Sequence, residues 1–290
     1  MVEELIERRL IRTPTVERAF RSVPRHAFLP TPFLLPTNQL LTDFAPTDDP
    51  CRVYADTIVA LKRDKNINCG SPSIVAMQLE HLEVAEGMRV LHVGTGSGYY
   101  TALLAELVGE RGTVVGVEYE PDLAALSASH LARACYTNVT IREGDGAFGI
   151  AEAAPFDRIL VSAGVADIAP AWLTQLTDGG RLVMPFCQLS PVGARTSGGV
   201  LLTVDKQADV LSGQFSTAAF FVPIQGACAP IDDHGALFEA FQRWFALEEF
   251  LRTSLPIRIA AKGRGVRRPN PSSVLWVVET PNVVMWIEPE

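Results

Sequence analysis

Three glycines and one acid are the clearest sign of chemistry in this sequence. Gly94, Gly96 and Gly98 follow the apolar stretch Arg89–Val93 with the spacing G-x-G-x-G, and a helix-forming segment comes next. Glu118 closes the following apolar stretch, 20 residues after the last glycine. Glycines let a backbone turn tightly and approach a ligand, and a helix N-terminus presents free N–H groups. A carboxylate at the end of the second strand can accept hydrogen bonds from both ribose hydroxyls, so the pattern predicts a nucleotide-binding βαβ unit.

The position of the third glycine separates the possible cofactors. Dinucleotide enzymes usually carry G-x-G-x-x-G, but Tyr99 stands where their last glycine belongs. No lysine follows the loop to clamp a pyrophosphate, which excludes a P-loop. The spacing resembles motif I of class I methyltransferases, which bind S-adenosylmethionine. The other interpretation is a glycine turn in an ordinary α/β domain.

The composition describes a globular chain and limits its partners. Of the 290 residues, 48% are hydrophobic and 20% are charged, which is enough apolar material to bury a core. The net charge of −8 argues against binding to a nucleic-acid backbone, which needs a basic face. We interpret the basic stretch at 262–268 as a solvated loop. No segment qualifies as a membrane span, so we expect neither nucleic acid nor membrane as a partner.

The five cysteines give no sign of a metal site or a disulfide framework. They form no C-x-x-C pair and do not cluster with the five histidines, so we predict no bound metal. Reduced thiols are typical of the cytoplasm, and the charged N-terminus lacks the apolar centre of a signal peptide. We therefore expect a cytoplasmic protein, of unknown oligomeric state.

The elements that must position these residues alternate along the chain. Strands are predicted at 89–93, 113–118, 139–142, 158–162 and 181–185, and helices at 101–108, 121–134 and 168–176. This alternation predicts an α/β fold with a parallel, Rossmann-like sheet. Ligands bind at the carboxyl ends of such strands, where Gly94, Glu118, the Gly144-Asp145-Gly146 turn and Ser162 all fall.

Segments on both sides of this alternation complete the predicted architecture. Further predicted elements are a helical lead-in at 1–24, irregular covering structure at 24–50, a helix at 73–83, a hairpin at 199–204 and 214–222, a helix at 235–251, and strands at 257–261, 273–279 and 283–287. We therefore divide the chain into a methyltransferase domain at 1–225, with an N-terminal cap at 1–70, and a small α+β extension at 226–290.

Several separated segments resemble protein-L-isoaspartate O-methyltransferases. In chain order they are RAFRSVPR at 18–25, the helix that opens at Pro72, VLHVGTGSGYYTALLA at 90–105, GVEYEP at 116–121, REGDGAFG at 142–149 and LTDGGRLVMPF at 176–186. The match covers residues 12–225. It implies methyl transfer from S-adenosylmethionine to the carboxylate of an isoaspartyl residue in a peptide or protein. The resulting ester then cyclises to a succinimide.

The resemblance also implies which residues bind the cofactor. The loop that wraps its methionine and ribose part comprises Gly94, Thr95, Gly96, Ser97 and Gly98. Glu118 binds the ribose hydroxyls, and Tyr119 lies beside the adenine. Asp145 and Gly146 contact the adenine edge, where a carboxylate can accept from the exocyclic amine. The alternative for Asp145 is an ordinary β-turn aspartate.

Two positions depart from the family pattern. The family usually carries T-I-S-x-P before its helix, and the serine helps to place the substrate and cofactor carboxylates, but the aligned residue here is Gly70. Ser71 and Ser73 are candidates to replace that serine, and together with Ser162 they are the candidate catalytic residues. His92 stands where an acid is common, and we interpret it as a buried structural histidine.

Two substrate classes remain open within this resemblance. The insertion at 53–63 and the extension resemble a bacterial branch that methylates an aspartate in the ribosomally made precursors of peptide natural products, leading to aspartimide. We favour this dedicated peptide, with repair of isoaspartyl residues in damaged proteins as the alternative. A small-molecule methyltransferase on the same fold and a module that only binds the cofactor are further hypotheses.

The expected chemistry needs neither a general base nor a metal, because a carboxylate is already ionised at neutral pH. The extension offers groups for recognising an acidic peptide. We expect aromatic residues to pack it against the sheet and basic residues to face the substrate. The aromatic residues are Phe238, Phe241, Trp244 and Phe245, and the basic residues are Arg264, Arg267 and Arg268.

Overall fold

The structure is a computed structural model in which the chain divides into two units, Met1–Gly146 and Ala147–Glu290. It describes residues 1–38, 41, 43–187, 197–208, 210–228, 256–262, 274 and 276–287. The predicted helix at 235–251 lies outside these ranges, with Phe238, Phe241, Trp244 and Phe245. The same is true of Arg264, Arg267 and Arg268.

The lead-in consists of two helices, α1 (Val2–Glu7) and α2 (Pro14–Ser22), as the apolar spacing predicted. The predicted helix before the glycine loop is α3 (Pro72–Leu82). Pro14 and Pro72 occupy the first turns of their helices, where a backbone N–H would have no acceptor within the helix, so the missing N–H of proline costs no hydrogen bond. The three helices bury their apolar faces in the core of the first unit.

A four-stranded antiparallel sheet occupies a region that was predicted to be partly irregular. Its strands are β1 (Phe33–Pro36), β2 (Phe44–Thr47), β3 (Val59–Lys62) and β4 (Ile67–Cys69), in the order β2-β1-β3-β4. Short 3-10 helices at Arg25–Phe28 and Pro50–Tyr54 flank these strands. The prediction was wrong for β1 and β2 because strands of four residues that contain proline show no alternating apolar pattern. We call residues 59–69 the β3–β4 hairpin.

The remainder of the first unit is the predicted βαβαβ sequence. Its elements are β5 (Arg89–Val93), α4 (Tyr99–Val108), β6 (Thr113–Glu118), α5 (Pro121–Arg133) and β7 (Val139–Glu143). β6 pairs in parallel with both β5 and β7. Their carboxyl ends therefore lie at one edge of the sheet, as in a Rossmann-like fold.

The second unit continues the α/β pattern and then turns antiparallel. It begins with two 3-10 helices, at Gly146–Phe148, where the first unit ends, and at Ala151–Ala153. The elements that follow are β8 (Phe156–Val161), α6 (Pro170–Gln175), β9 (Leu176–Cys187), β10 (Ser197–Gln207) and β11 (Val210–Phe221). β8 and β9 are parallel, whereas β9, β10 and β11 form an antiparallel meander. The β10–β11 pair is the hairpin that the sequence predicted.

The described strands of the extension belong to the sheet of the second unit. They are β12 (Ile257–Ala261), β13 (Trp276–Glu279) and β14 (Val283–Ile287), in the order β11-β12-β14-β13. Asp167, in the loop after β8, accepts hydrogen bonds from the Thr280 hydroxyl and, at 2.8 Å, from the Asn282 N–H. β12 pairs with β11 across the predicted domain boundary at 225/226, which stays a prediction.

Candidate active site

The loop after β5 turns through three glycines in the left-handed backbone region. The φ angle is +83° at Gly94, +55° at Gly96 and +92° at Gly98, values that favour a residue without a Cβ. A Cβ on Gly98 would also lie 2.9 Å from the Ser127 hydroxyl oxygen. The Gly94 N–H donates to the carbonyl of Val117 at 2.8 Å, so the loop is fixed to the end of β6.

Glu118 ends β6 with its carboxylate turned toward this loop. Oε2 accepts a hydrogen bond from the Gly96 N–H at 2.7 Å, and Oε1 accepts one from the Glu120 N–H at 3.1 Å. The residue is only 7% exposed. Burial raises the pKa of Glu118, while the backbone hydrogen bonds favour its charged form. The carboxylate is therefore held in one orientation and keeps lone pairs for ligand hydroxyls.

The turn after β7 reaches the same edge of the sheet. The Gly144 N–H donates to the Glu118 carbonyl at 2.9 Å. At Gly146 a Cβ would lie 2.4 Å from a valine methyl of β5, so packing requires a glycine there. Asp145 is half-buried, and Tyr119 is 45% exposed. The structure thus brings the glycine loop, Glu118 and the Asp145-Gly146 turn together, as the strand pattern predicted.

Two hydroxyls of the loop are buried without a partner in the described part of the chain. They belong to Thr95 and Ser97, which are each 2% exposed. The Ser97 carbonyl accepts a hydrogen bond from Nδ1 of His130 on α5 at 2.9 Å. Burial lowers the pKa of His130, which favours the neutral ring. His130 was not predicted as a site residue, because nothing in its helical segment distinguishes it.

His92 is a buried structural residue, which confirms the interpretation from the sequence. It is fully inaccessible to solvent, and its Nδ1 lies 2.9 Å from the Thr101 hydroxyl oxygen. Burial lowers the pKa of His92 to about 3, so the ring is neutral at physiological pH. The pair joins β5 to α4 on either side of the glycine loop.

Ser71 and Ser73 lie together where α3 begins. Their hydroxyl oxygens are 3.2 Å apart, and the Ser73 N–H donates to Asp56 at 2.9 Å. Burial alone would raise the pKa of Asp56, but the hydrogen bond from Arg8, at 2.7 Å, leaves this pKa below its usual value. The ionised Asp56 fixes Ser73, and Ser71 is the more exposed serine of the two.

Arg25 is a buried residue that organises the segment before these serines. Its guanidinium donates to the carbonyls of Val53 at 2.6 Å, Thr57 at 2.9 Å and Gly70 at 2.8 Å. Arg25 ends the segment RAFRSVPR that resembles the family, but the sequence did not predict this role for it. Ser162, the third candidate catalytic residue, directly follows β8 in the second unit and is half-buried.

The β3–β4 hairpin adds three residues that were not predicted as site residues. Cδ1 of Leu61 lies 3.4 Å from the point that a Cβ on Gly96 would occupy. Lys62 and Lys65 form ion pairs with Glu120, the second residue after Glu118, at 2.7 and 2.6 Å. The hairpin therefore contacts both the glycine loop and the segment that follows β6.

Other features of the described residues offer no competing chemistry. They contain no group of three or more His, Cys, Asp or Glu side chains placed to hold a metal ion, and all five cysteines are free thiols. A cavity of about 840 Å³ in the second unit is lined by α6, β11 and β12. Its lysines are already bonded, Lys206 to two backbone carbonyls and Lys262 to Glu279. Within the described ranges, no helix has the length and apolar character to cross a membrane.

Comparison with known proteins identifies the family. The sequence model of the protein-L-isoaspartate(D-aspartate) O-methyltransferase family matches residues 1–229. The chain belongs to this family. The protein-L-isoaspartate O-methyltransferase of Methanococcoides burtonii is 35% identical over 211 residues, which cover 73% of this chain and 92% of the relative. Protein-L-isoaspartate O-methyltransferase 1 of Anaeromyxobacter sp. strain Fw109-5 is 40% identical over 221 residues, covering 75% and 91%.

Two solved structures support the α/β Rossmann-like fold of this isoaspartate methyltransferase family member. A protein-L-isoaspartate O-methyltransferase superposes with a TM-score of 0.65 at 24% identity, covering 100% of this chain and 88% of that one. A putative enzyme of this family from Plasmodium falciparum, in complex with S-adenosyl-L-homocysteine, gives 0.60 at 20% identity, covering 77% and 96%.

Membership of this family makes the chain a methyltransferase that uses S-adenosylmethionine, as the sequence predicted. The residues at the loop fit that cofactor. The glycines keep side chains away from the ligand, Thr95 and Ser97 have buried hydroxyls without partners among the described residues, and the Glu118 carboxylate is oriented by backbone N–H groups. These groups match a ligand that carries a ribose and a charged amino-acid part.

Proposed function

We propose that this protein is a protein-L-isoaspartate carboxyl methyltransferase that acts in protein repair. The observation that carries the proposal is the Glu118 carboxylate, which the Gly96 N–H orients beside the glycine loop in a chain of this family. The substrate is a peptide or protein that contains an isoaspartyl residue. The relatives favour this substrate over the dedicated precursor peptide that the insertion at 53–63 and the extension favoured, because those compared above carry the isoaspartate name.

In this proposal the first unit supplies the cofactor contacts. The loop residues that receive the methionine and ribose part are Gly94, Thr95, Gly96, Ser97 and Gly98. Glu118 accepts hydrogen bonds from two ribose hydroxyls. Tyr119, with nearly half of its surface exposed, covers the adenine. Asp145 accepts a hydrogen bond from the adenine amine, and Gly146 allows this close approach.

The chemistry assigns the protein a role in alignment rather than in proton transfer. S-adenosylmethionine supplies a methyl group that its sulfonium activates. The substrate carboxylate, with an ordinary pKa of about 4, is already ionised at neutral pH and needs no general base. We assign its orientation to the hydroxyls of Ser71 and Ser73, because alignment and exclusion of water are what this reaction requires. Ser162, in the second unit, stays a candidate for the same role. The following backbone nitrogen then attacks the ester carbonyl, methanol leaves, and a succinimide forms.

A second candidate substrate is an aspartate in a dedicated precursor peptide. Gly70 favours this candidate, because it removes the hydroxyl that the family uses near the substrate carboxylate. The C-terminal extension also favoured the dedicated peptide from the sequence, but it does not distinguish this substrate from an isoaspartyl protein. The superposition on a solved isoaspartate methyltransferase covers 100% of this chain.

Radiolabelled methyl transfer to two peptides of identical sequence tests the proposal. One peptide carries isoaspartate and the other aspartate at the same position. We expect a base-labile label on the isoaspartyl peptide, in proportion to its isoaspartate content. Preferential labelling of the aspartyl peptide, or of a single precursor in a lysate, would replace repair by the dedicated substrate. A base-stable label would indicate a different nucleophile, and cofactor binding without transfer would indicate a non-catalytic module.

The remaining predictions concern organisation and location. We propose that residues 1–225 form the methyltransferase domain, with 1–70 as its cap, and that 226–290 contribute to peptide recognition. We also propose that the enzyme acts in the cytoplasm, where the free thiols of its five cysteines would stay reduced. Cell fractionation tests the location, and recovery of the enzyme outside the cytoplasmic fraction would contradict it.

A further inference from the structure

Two lysines of the β3–β4 hairpin surround one buried carboxylate. Nζ of Lys62 lies 2.7 Å from Oε2 of Glu120, and Nζ of Lys65 lies 2.6 Å from Oε1 of the same residue. Lys62 also contacts Asp122 at 2.8 Å. The Glu120 side chain is only 3% exposed. A buried carboxylate needs such partners, since desolvation without them would strongly disfavour its charge.

Glu120 is directly coupled to the acid of the cofactor site. Its N–H donates to Oε1 of Glu118 at 3.1 Å, and both residues are less than a tenth exposed. The negative charges of these two buried carboxylates repel each other, and an uncompensated charge on one raises the pKa of the other. The repulsion from Glu120 is one of the causes of the raised pKa of Glu118.

We propose that Lys62 and Lys65 are positioning residues for S-adenosylmethionine, because by neutralising Glu120 they keep Glu118 ionised and aimed at the ribose. This inference rests on the proposed role of Glu118 in cofactor binding. Leu61 supports it, since its contact at the Gly96 position places the hairpin directly on the glycine loop. The lysines act through Glu120 and need not touch the cofactor.

Other charged residues in this part of the described chain add negative charge or have contacts of their own. Glu143, its register partner on β7, is exposed and adds negative charge. On α5, Asp122 is paired with Lys62. At the turn of the hairpin, Arg63 lies over the ring of Phe44 at 6.0 Å. Glu120 itself forms ion pairs with both lysines of the hairpin.

The test measures binding of S-adenosylhomocysteine by calorimetry as a function of pH, on folded variants. We expect the double variant Lys62→Gln/Lys65→Gln to bind several-fold more weakly than the natural protein at acid pH, because an uncompensated Glu120 charge favours protonation of Glu118. The loss of affinity on acidification should begin at a higher pH than in the natural protein. Arg63→Gln, on the same turn, is the matched control and should leave both quantities unchanged.

Removal of the Glu120 charge distinguishes this role from simple covering by the hairpin. The triple variant Lys62→Gln/Lys65→Gln/Glu120→Gln should recover most of the lost affinity and the natural pH profile. Weak binding that Glu120→Gln does not rescue, or an unmoved pH profile, would overturn the inference. If the double variant does not fold, Glu120→Gln alone should move the loss of affinity to lower pH, and no movement would again overturn it.

The same experiment separates this inference from the proposed function. Failure of the natural protein to bind S-adenosylhomocysteine would contradict the cofactor site itself. Normal binding by the natural protein and by the double variant, with identical pH profiles, would contradict only the role of the lysines. Transfer of labelled methyl to the isoaspartyl peptide tests the substrate, and its outcome does not depend on this inference.

Discussion

The hydroxyl of Tyr100 donates a hydrogen bond to the carbonyl of Gly70 at 2.6 Å, at the position where the family resemblance predicts a serine. A Cβ on residue 70 would lie 3.0 Å from that hydroxyl oxygen, which is closer than a side chain normally approaches. A serine at this position would therefore crowd Tyr100. The absence of the family serine and the presence of the tyrosine hydroxyl are two parts of one local arrangement.

A double-mutant cycle tests this arrangement. Gly70→Ser should destabilise the fold by about 1–3 kcal/mol through crowding, and Tyr100→Phe by about 1 kcal/mol through the lost hydrogen bond. The double variant should cost less than the sum, because removal of the hydroxyl makes room for the serine. Urea unfolding of the four proteins measures the cycle, and strict additivity would show that the two positions are independent.

Glu118→Ala should weaken binding of S-adenosylmethionine by about 2–3 kcal/mol, since hydrogen bonds to a charged group are lost. Glu110→Ala, at an exposed acid, is the control and should have no measurable effect. In the natural protein, affinity for the cofactor should decrease as the pH is lowered through the raised pKa of Glu118, because protonation removes the hydrogen-bond acceptor. Calorimetry over a pH series measures both effects, and unchanged affinity in Glu118→Ala would remove the residue from the site.

Gly96→Val should abolish cofactor binding. A β-branched residue at φ +55° strains the backbone by about 1–3 kcal/mol, and its methyls would press against Leu61, whose Cδ1 lies 3.4 Å from the Cβ position, and so distort the loop. Gly87→Val is the matched control, because Gly87 also has a positive φ but has no atom within 4 Å of its Cβ position. Both variants should lose stability in urea. Only Gly96→Val should lose binding of the cofactor. Equal binding by the two variants would contradict a role of the glycine loop in cofactor binding.

The buried His92 should make stability depend on pH. The pKa of His92 is about 3 in the folded protein, below its value in the unfolded chain. Its contribution to the free energy of unfolding is therefore complete above about pH 6.5 and is lost as the pH falls. Near pH 5 the loss should be about 2 kcal/mol. His92→Gln should show less of this dependence, whereas His26→Gln, at an exposed histidine, should keep it. Urea midpoints at neutral and acid pH provide the comparison, and equal slopes in all three proteins would contradict the assignment.

The bond between Asp167 and Thr280 should stabilise the second unit. Thr280→Val should cost about 1–3 kcal/mol, because the half-buried carboxylate loses its hydroxyl donor. The exposed Thr174→Val on α6 should stay within about 0.5 kcal/mol of the natural protein. Urea unfolding followed by tryptophan fluorescence makes the measurement. Equal stability of the two variants would show that the extension does not depend on Asp167.

The buried parallel strands were the easiest part of the fold to predict. The bounds of β5 and β6 match the prediction, because each is a short apolar stretch set between glycines and helix signals. The same logic placed the glycine loop and Glu118 at one edge of the sheet. Proline-containing β1 and β2 were missed, since they offer neither length nor alternation.

The contacts that refine the site leave no trace in local sequence. Lys62 lies 58 residues before Glu120, and Ser97 lies 33 residues before His130, so no periodicity links either pair. Arg25 illustrates the same limit. Arginine is usually exposed, and only the fold shows that four backbone carbonyls surround this one.

The described strands of the extension also decide how the sheet meets other molecules. β11 alone is a strand of 12 residues with the exposed Phe220, and such an edge can recruit a strand from another chain. β12 covers part of that edge, and the outermost described strand becomes β13, of only four residues. Its Glu279 is held by Lys262 at 2.6 Å, and short charged edges resist intermolecular pairing. At this edge of the second unit, these strands therefore shorten the stretch of β11 backbone that is open to pairing with another chain.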